Sequence, residues 1–412
     1  MSNSKKSTVK TAVDYGLHPF KDLQTSTSTV MVYTNTFFDT RKIFESIKLT
    51  EIEIPRTKKQ KNVDKKKLAA PYGAIISVQS MTHIRGVDLR KKKKRWCTVC
   101  QPVKVTPEGE EVQIITVTEQ LKPVKGTDMF AIMYYCSKCQ KAYKPEELYK
   151  INHFLNQITI VISTGKQPLL NVMMFKDNLK FAGCKGIEDA VEAILILWQD
   201  YIFSPKETSY WFPGGAEALG YNPEATKGPS GTSGTDLWRL KKGATTPRFV
   251  FETVMRNVDF KIGWPIERPA LNLLMNDEAY SKYIFMSQYE STGHTNVNIK
   301  MYSRKPHDFK YDCLVIPLGV NEAPKFIQLS DVPYKSDKKK KKDATVDQYV
   351  TFIAFSSSEI ILSGRYDRNM EEMYNFFVST IFKHRKDIEE KLEDANEGEI
   401  AKIKRRVKSK PT

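Results

Sequence analysis

Two stretches of this 412-residue chain carry the same succession of signals, and that repetition restricts the fold more than any other feature of the sequence. In the first, the apolar run 170–175 leads into a turn at Lys176-Asp177-Asn178, a second run at 179–182 ends at Gly183, and Ile187, Ala190, Val191, Ile194, Leu195 and Trp198 follow. In the second, 352–355 leads into Ser356-Ser357-Ser358, 360–362 ends at Gly364, and Met370, Met373, Tyr374, Phe377, Val378 and Ile381 follow at the same offsets. Each set of offsets is the apolar stripe of a helix lying on a sheet, and each pair of short runs around a polar turn is a hairpin. Upstream, Thr29-Val30-Met31 and Thr253-Val254-Met255 each open an extended stretch followed by a short helical one, capped in the first case by Asp39 or Thr40. Two unrelated amphipathic helices would share the stripe but not the order of elements. The expected fold class is α+β, built from a duplicated unit.

The rest of the chain is arranged around these two units. Residues 1–28 read as an N-terminal arm, 29–203 as the first repeat and 204–248, with its PGG and KGPSGTSG, as a linker. Residues 249–388 read as the second repeat with a basic insertion at 303–345, and 389–412 as a charged tail.

Lys and Arg number 65 against 48 Asp and Glu, a formal charge of +17, while 40% hydrophobic content allows a real core. That balance favours a polyanionic partner, nucleic acid before membrane. No apolar run reaches the eighteen or so residues of a membrane helix, and MSNSKKSTVK lacks a signal peptide's apolar stretch, so the expectation is an intracellular protein. The basic runs at 90–95, 338–342 and 402–410 suit phosphate contacts, a nuclear localisation signal or a plain solvated face. Phosphate-cradling, zinc-protease and nucleophile-elbow motifs are absent from the sequence, and its six histidines (18, 83, 153, 294, 307, 384) have no metal-type spacing. A binding protein is expected, not an enzyme.

Four of the six cysteines form two pairs, Cys97/Cys100 in CTVC and Cys136/Cys139 in CSKC. Four thiolates in two such pairs can close a tetrahedral Zn²⁺ site, each pair supplying two corners, and a closed site stabilises a fold without offering a catalytic position. The expectation is one structural zinc per chain in a ribbon-like insertion at 90–145, with four reduced buried cysteines as the alternative. Cys184 and Cys313 read as core residues.

FIAFSSSEIILSG (352–364) with its helix resembles the last hairpin and helix of a TATA-box-binding-protein repeat, and NVMMFKDNLKFAGCK (171–185) the equivalent piece of the first repeat. NQITIVI, NVMMFKDN, AGCK and YESTGHTNVNIKMY more closely resemble the diverged TATA-binding-like proteins of nucleocytoplasmic large DNA viruses. The resemblance covers 29–203 and 249–388 without the insertions. It implies a pseudo-symmetric saddle, one curved antiparallel sheet with two long helices on its back, whose concave face lies in the DNA minor groove. There, paired phenylalanines wedge between base steps and kink the duplex.

Carried over by position, the wedges fall on Phe154 and Met174 in the first repeat and on His294 and Phe355 in the second. The asparagines near the family's pseudo-dyad fall on Thr29 and Thr253. Asn156 and Asn296, beside the wedge positions, complete the implied DNA-binding set. Histidine is a poor wedge, which weakens TATA-specific recognition more than DNA binding. The implied partners are double-stranded DNA and a viral RNA polymerase or general transcription factor. The implied location is the host nucleus, a cytoplasmic viral factory or the virion. The rival reading is a structural virion or nucleoid protein that reuses the saddle for packaging.

Overall fold

The β-branched run at the head of the first repeat forms a ten-residue strand, β1 (Thr25–Thr34), in which Val30 and Val32 are fully buried. In this computed structural model, residues 11–52, 70–89, 95–96, 116–145, 157–166, 169–202, 237–244, 247–289, 296–303, 312–317, 325–328 and 348–390 are described. They divide into two compact units, one drawn from 27–254 and 308–345, the other from 255–307, 346 onward and the residues up to 26.

In the first unit β1 is followed by β2 (Thr36–Phe38) and α1 (Thr40–Ser46), whose N-terminus Asp39 caps by accepting the Lys42 N–H at 3.0 Å. Then come β3 (Ile75–Gln79), β4 (His83–Gly86), β5 (Arg95–Trp96), β6 (Thr116–Pro123), β7 (Met129–Tyr135), β8 (Ala142–Tyr143), β9 (Ile158–Ile162), β10 (Leu170–Met174) and β11 (Asn178–Cys184). The expected helix follows as α2 (Ile187–Ile196), continued by a π-helical turn, Leu197–Ile202. Strand β12 (Trp238–Leu240) and the start of β13 (Arg248–Lys261) complete the run. All pairings are antiparallel, in the order β1·β11·β10·β9·β3·β4. Val30, Val32, Val172, Met174 and Phe181 on the strands, with Ala190, Ala193 and Ile194 on α2, form one core. Trp198 of the π turn packs edge-on against Phe249 at 5.5 Å and tilts on Trp238 at 4.8 Å.

The second unit contains the rest of β13, α3 (Arg268–Met275), β14 (Ile284–Tyr289) and β15 (Asn296–Ser303). Next in the chain, β16 (Asp312–Pro317) and β17 (Lys325–Gln328) pair with each other, and β16 pairs with Arg248 to Phe251 of β13, so the basic insertion contributes strands to the first unit, not the second. Strands β18 (Gln348–Phe355) and β19 (Glu359–Gly364) form the expected hairpin, followed by α4 (Asp367–Lys383) and a single turn, α5 (Arg385–Ile388). The pairing order is β13·β19·β18·β15·β14. It matches β1·β11·β10·β9·β3: in both, the strand that leads into the long helix lies beside the first strand, and a short helix follows the first strand's segment.

The two repeated glycines serve different ends. Gly183 sits at φ +97°, a conformation that L side chains rarely adopt, whereas Gly364 leaves room for Met370, whose Sδ would lie 2.9 Å from an added Cβ.

Residues expected as a free arm are instead part of the second core. Ala12 and Phe20 are buried there, the Tyr374 hydroxyl donates to the His18 carbonyl at 2.9 Å, and the Ala12 N–H donates to Asn375 Oδ1 at 3.1 Å. The Phe20 ring also lies under Arg256 and beside Tyr374, contacts that sequence spacing could not show.

Inside the first unit one buried cation ties the 90–145 insertion to the sheet. Arg85 of β4 donates from Nε to both Asp128 oxygens at 2.9 Å and from Nη1 to the carbonyls of Phe44 and Ile47, at 2.6 and 3.1 Å, at the end of α1. The hydrogen bonds from Arg85 hold the Asp128 carboxyl below the usual carboxylate range. A depressed carboxyl contributes stability above its unfolded pKa and loses it as pH falls through the folded value. The pair should therefore weaken only below about pH 4, and in urea titrations between pH 2.5 and 6 Asp128→Asn should be less stable than wild type at the upper end and converge with it as pH falls, which flattens the acid limb. In the second unit Phe377 of α4 stacks on Phe352 of β18 with centroids 4.4 Å apart, both fully buried. Phe377→Ala should cost about 3–5 kcal/mol, read as a lowered urea midpoint at constant slope.

Candidate nucleic-acid interface

The described helices of each unit pack against one face of its sheet, so alternate strand residues point the other way. On β10 the buried residues are Leu170, Val172 and Met174, while Asn171 and Met173 within the strand and Phe175 just beyond it are half-buried. Met174, expected as a wedge, is fully buried in the core against α2. The hairpin register corrects that expectation by one residue: a core contact at Met174 puts Phe175 on the helix-free face. Phe175 holds the hairpin through its N–H, which donates to the Asn178 carbonyl at 2.9 Å.

Phe355 occupies the same place in the second unit. Ala354 is buried, Phe355 is half-buried at the end of β18, and the serine turn follows. Asn296 lies directly opposite Phe355 across the β15–β18 pair. Thr29 pairs with Ala182 and is buried, and Thr253 is half-buried on β13. Phe154, Asn156, His294, Cys97 and Cys100 lie outside the described residues.

Cross-strand registers give the lining of each helix-free face. In the first unit one row runs Met31, Lys180, Met173, Thr159, Gln79 and the next Thr29, Ala182, Asn171, Val161, Ser77. The corner at Val161 is covered by Ile76, Leu89 and Leu169. In the second unit the rows run Lys300, Thr351, Ser363, Asn257 and Asn298, Ile353, Ile361, Asp259. The Ser363 hydroxyl donates to Asn257 Oδ1 at 2.8 Å and fixes that amide, while Lys261 pairs with Glu359 at 3.1 Å. Asn298 Oδ1 is buried without a hydrogen-bond partner among the described residues. At the far end of these strands from Phe355, Phe285 stacks on Tyr349 at 4.6 Å and meets Tyr302 edge-on at 5.6 Å. Each face thus offers amides, hydroxyls and apolar groups with a phenylalanine at the hairpin end, a lining suited to a surface that is itself part apolar and part hydrogen-bonding.

Cys136 and Cys139 flank a tight turn after β7, closed by the Cys136 N–H donating to the Lys141 carbonyl at 3.0 Å, with Gln140 in the left-handed region at φ +53°. Cys136 is fully buried beside Val117, Ile132, Tyr134 and Tyr143, and Cys139 Sγ lies 3.2 Å from the Tyr143 hydroxyl. Trp96, the residue before Cys97, pairs with Thr116 of β6, and Tyr135, the residue before Cys136, pairs with Thr118 from the opposite side. The two cysteine-bearing segments therefore leave the sheet at the same end, one strand apart, about 10 Å. Among the described residues no three His, Cys, Asp or Glu side chains come together, two of the four expected ligands lying outside them. Cys184 is in the first core, where burial pushes its thiol up to about 12.

Period-two alternation in the sequence already sets Phe175 on the face opposite Met174. The aromatic group around Phe285 and the acceptor of Asn298 carry no sequence signal beyond strand propensity.

No family model matches this chain, and no curated protein matches it in sequence. Among solved structures it is similar to Methanococcus jannaschii TBP, with a TM-score of 0.27, 12% identity, and coverage of 57% of this chain and 82% of that one.

Proposed function

We propose that this chain is a TATA-box-binding-like protein that engages duplex DNA through the minor groove, bends it and helps position a viral transcription machine. One observation carries the reading: two units with the same strand order each place a phenylalanine, Phe175 and Phe355, at the hairpin end of a face that no described helix covers. The charge of +17 supplies the attraction for phosphates, and the amides and hydroxyls of each face suit groove edges. Under this reading each unit meets the duplex with the face that carries its phenylalanine, and a polymerase or general transcription factor is the further partner.

Wedging costs a few kcal/mol per unstacked step and is least costly at flexible pyrimidine–purine steps. Phe175→Ala and Phe355→Ala should each reduce bending, read as a longer end-to-end distance by energy transfer on a labelled short duplex. Each should also weaken binding to easily kinked sites about tenfold, ~1.4 kcal/mol, with nonspecific binding retained. Met174→Ala should instead lower stability and leave the bend of the folded protein unchanged. An unbent duplex at saturating wild-type protein would remove the mechanism.

We further propose that Cys97, Cys100, Cys136 and Cys139 hold one Zn²⁺, which would fix the insertion's turns without taking part in chemistry. The closed Cys136–Lys141 turn and the shared exit of β5 and β7 support this set. Elemental analysis should give one zinc per chain, and Cys136→Ser or Cys97→Ser should abolish it while the saddle units keep their cooperative unfolding. A zinc-free native protein would overturn the assignment.

The apolar cover over Val161 favours a second reading at that corner, a structural virion or nucleoid protein that packages DNA. Binding without bending is the outcome that would select it.

A further inference from the structure

The hairpin turn after Phe175 takes part in a second constellation, away from the sheet's rows. Phe37, the middle residue of β2, is half-buried between the buried Thr36 and Phe38, and β2 pairs with β12 so that Arg239 lies opposite it. Three cations converge on the Phe37 ring: Lys241 Nζ at 5.2 Å, Lys176 Nζ at 5.3 Å and Arg239 Cζ at 5.5 Å from its centroid. Among the described residues Asp177 accompanies them, its Oδ2 3.3 Å from Lys241 Nζ. Lys176 and Arg239 are exposed, and among the described residues neither has an ion pair.

The backbone holds this arrangement from both sides. The Phe38 N–H donates to the Lys176 carbonyl at 2.7 Å, the Lys241 N–H to the Asn35 carbonyl at 2.7 Å, and the Asp39 N–H to the Leu237 carbonyl at 2.8 Å. The ring's electron-rich face offsets part of the repulsion among like charges, and the side chains start from fixed anchors, so little ordering remains to be done when an anion arrives. Lys176 and Arg239, exposed and without an ion pair among the described residues, leave positive charge that a polyanion would neutralise.

We propose that Lys176, Arg239 and Lys241 form a grip for the phosphodiester backbone of duplex DNA, built on Phe37. This deepens the DNA-binding reading and rests on it: Lys176 directly follows Phe175, so a backbone whose base step receives Phe175 is carried past the cluster. Arg239 is suited to a bidentate hold on one phosphate, and Lys176 acts as a point charge on its neighbour.

The test is a salt titration of full-length protein on a labelled 30-base-pair duplex by fluorescence anisotropy, using Lys176→Gln/Arg239→Gln. Lys383→Gln/Lys386→Gln, on the back of the second unit, is the matched charge control. Each phosphate contact contributes about 0.9 to the slope of log K against log salt, so the first variant should lower the slope by about 1.8 and the control should leave it unchanged. Lys176→Arg/Arg239→Lys should retain most of the slope, and it also guards against a folding artefact. Equal losses in the variant and its control would reduce the effect to net charge and overturn the site. Wild-type binding with an unaltered slope in the variant overturns the grip alone, whereas wild-type protein that binds no duplex removes the DNA reading and the grip with it. Competition by inorganic phosphate at concentrations that leave the control's binding untouched would reassign the cluster to a small anion.

Discussion

The alternation of side chains across each sheet, fixed by a helix packed behind one face, is the constraint on which the rest of the structure depends. α4 presents Met370, Met373, Phe377 and Ile381 to the second sheet, so Val350, Phe352 and Ala354 must face it and Thr351, Ile353 and Phe355 must face away. A register slip of one residue would bury a threonine hydroxyl and expose Phe352. α2 imposes the same division on the first sheet through Ala190, Ala193 and Ile194. A sheet kept only for solubility would fill its second face with charge. Here that face holds Met31, Met173, Ile353 and Ile361 among amides and hydroxyls, half-buried by their neighbours, a composition closer to an interface than to a plain solvent surface.

The parts of this arrangement legible in the sequence are those set by local periodicity. Both hairpins, the two long helices, the short helices after the first strands and the Asp39 cap all rest on residues within one or two turns of each other. The expectation at Met174 failed for a related reason. Position-by-position likeness pointed to Met174, while alternation from the core residues Val172 and Leu170 buries it and turns Phe175 to the other face. Long-range pairing escaped altogether. Nothing in 11–26 announces that Phe20 lies under Arg256 and beside Tyr374, and nothing in 312–328 announces pairing with Arg248 to Phe251. The group around Phe37 needs Lys176 and Arg239, distant in sequence from it and from each other.

The 90–145 insertion meets the same sheet through a different physical device. Arg85 is almost wholly buried, yet it is paired with Asp128 and hydrogen-bonded to two carbonyls at the end of α1, the helix terminus where a positive charge is favourable. One guanidinium thus ties the β6–β7 turn to α1, and the cysteine turn lies at the other end of β7. Among the described residues the insertion has a small apolar cluster around Ile132, Tyr134 and Tyr143. A metal held by the cysteine pairs would add a constraint at the end that Arg85 does not reach.

The two units share an order of strands but not a surface, and that difference bears on how a duplicated binder would choose a direction on DNA. A saddle with two equal halves reads a duplex equally well in either orientation, and only groups peculiar to one half can break the tie. The first unit ends its hairpin in Lys176-Asp177-Asn178, gathers three cations over Phe37 and covers the corner at Val161. The second ends in three serines and exposes Phe285 and Tyr302 beside Tyr349. Phosphate attraction acts whatever the base sequence, so stronger cationic contact by the first unit would not by itself select a sequence. It would make that half the firmer anchor and leave discrimination to the half held more weakly, where an unfavourable base step is less readily offset. If the chain binds DNA as proposed, orientation would therefore follow from the deformability of the step that meets Phe355 more than from that of the step that meets Phe175.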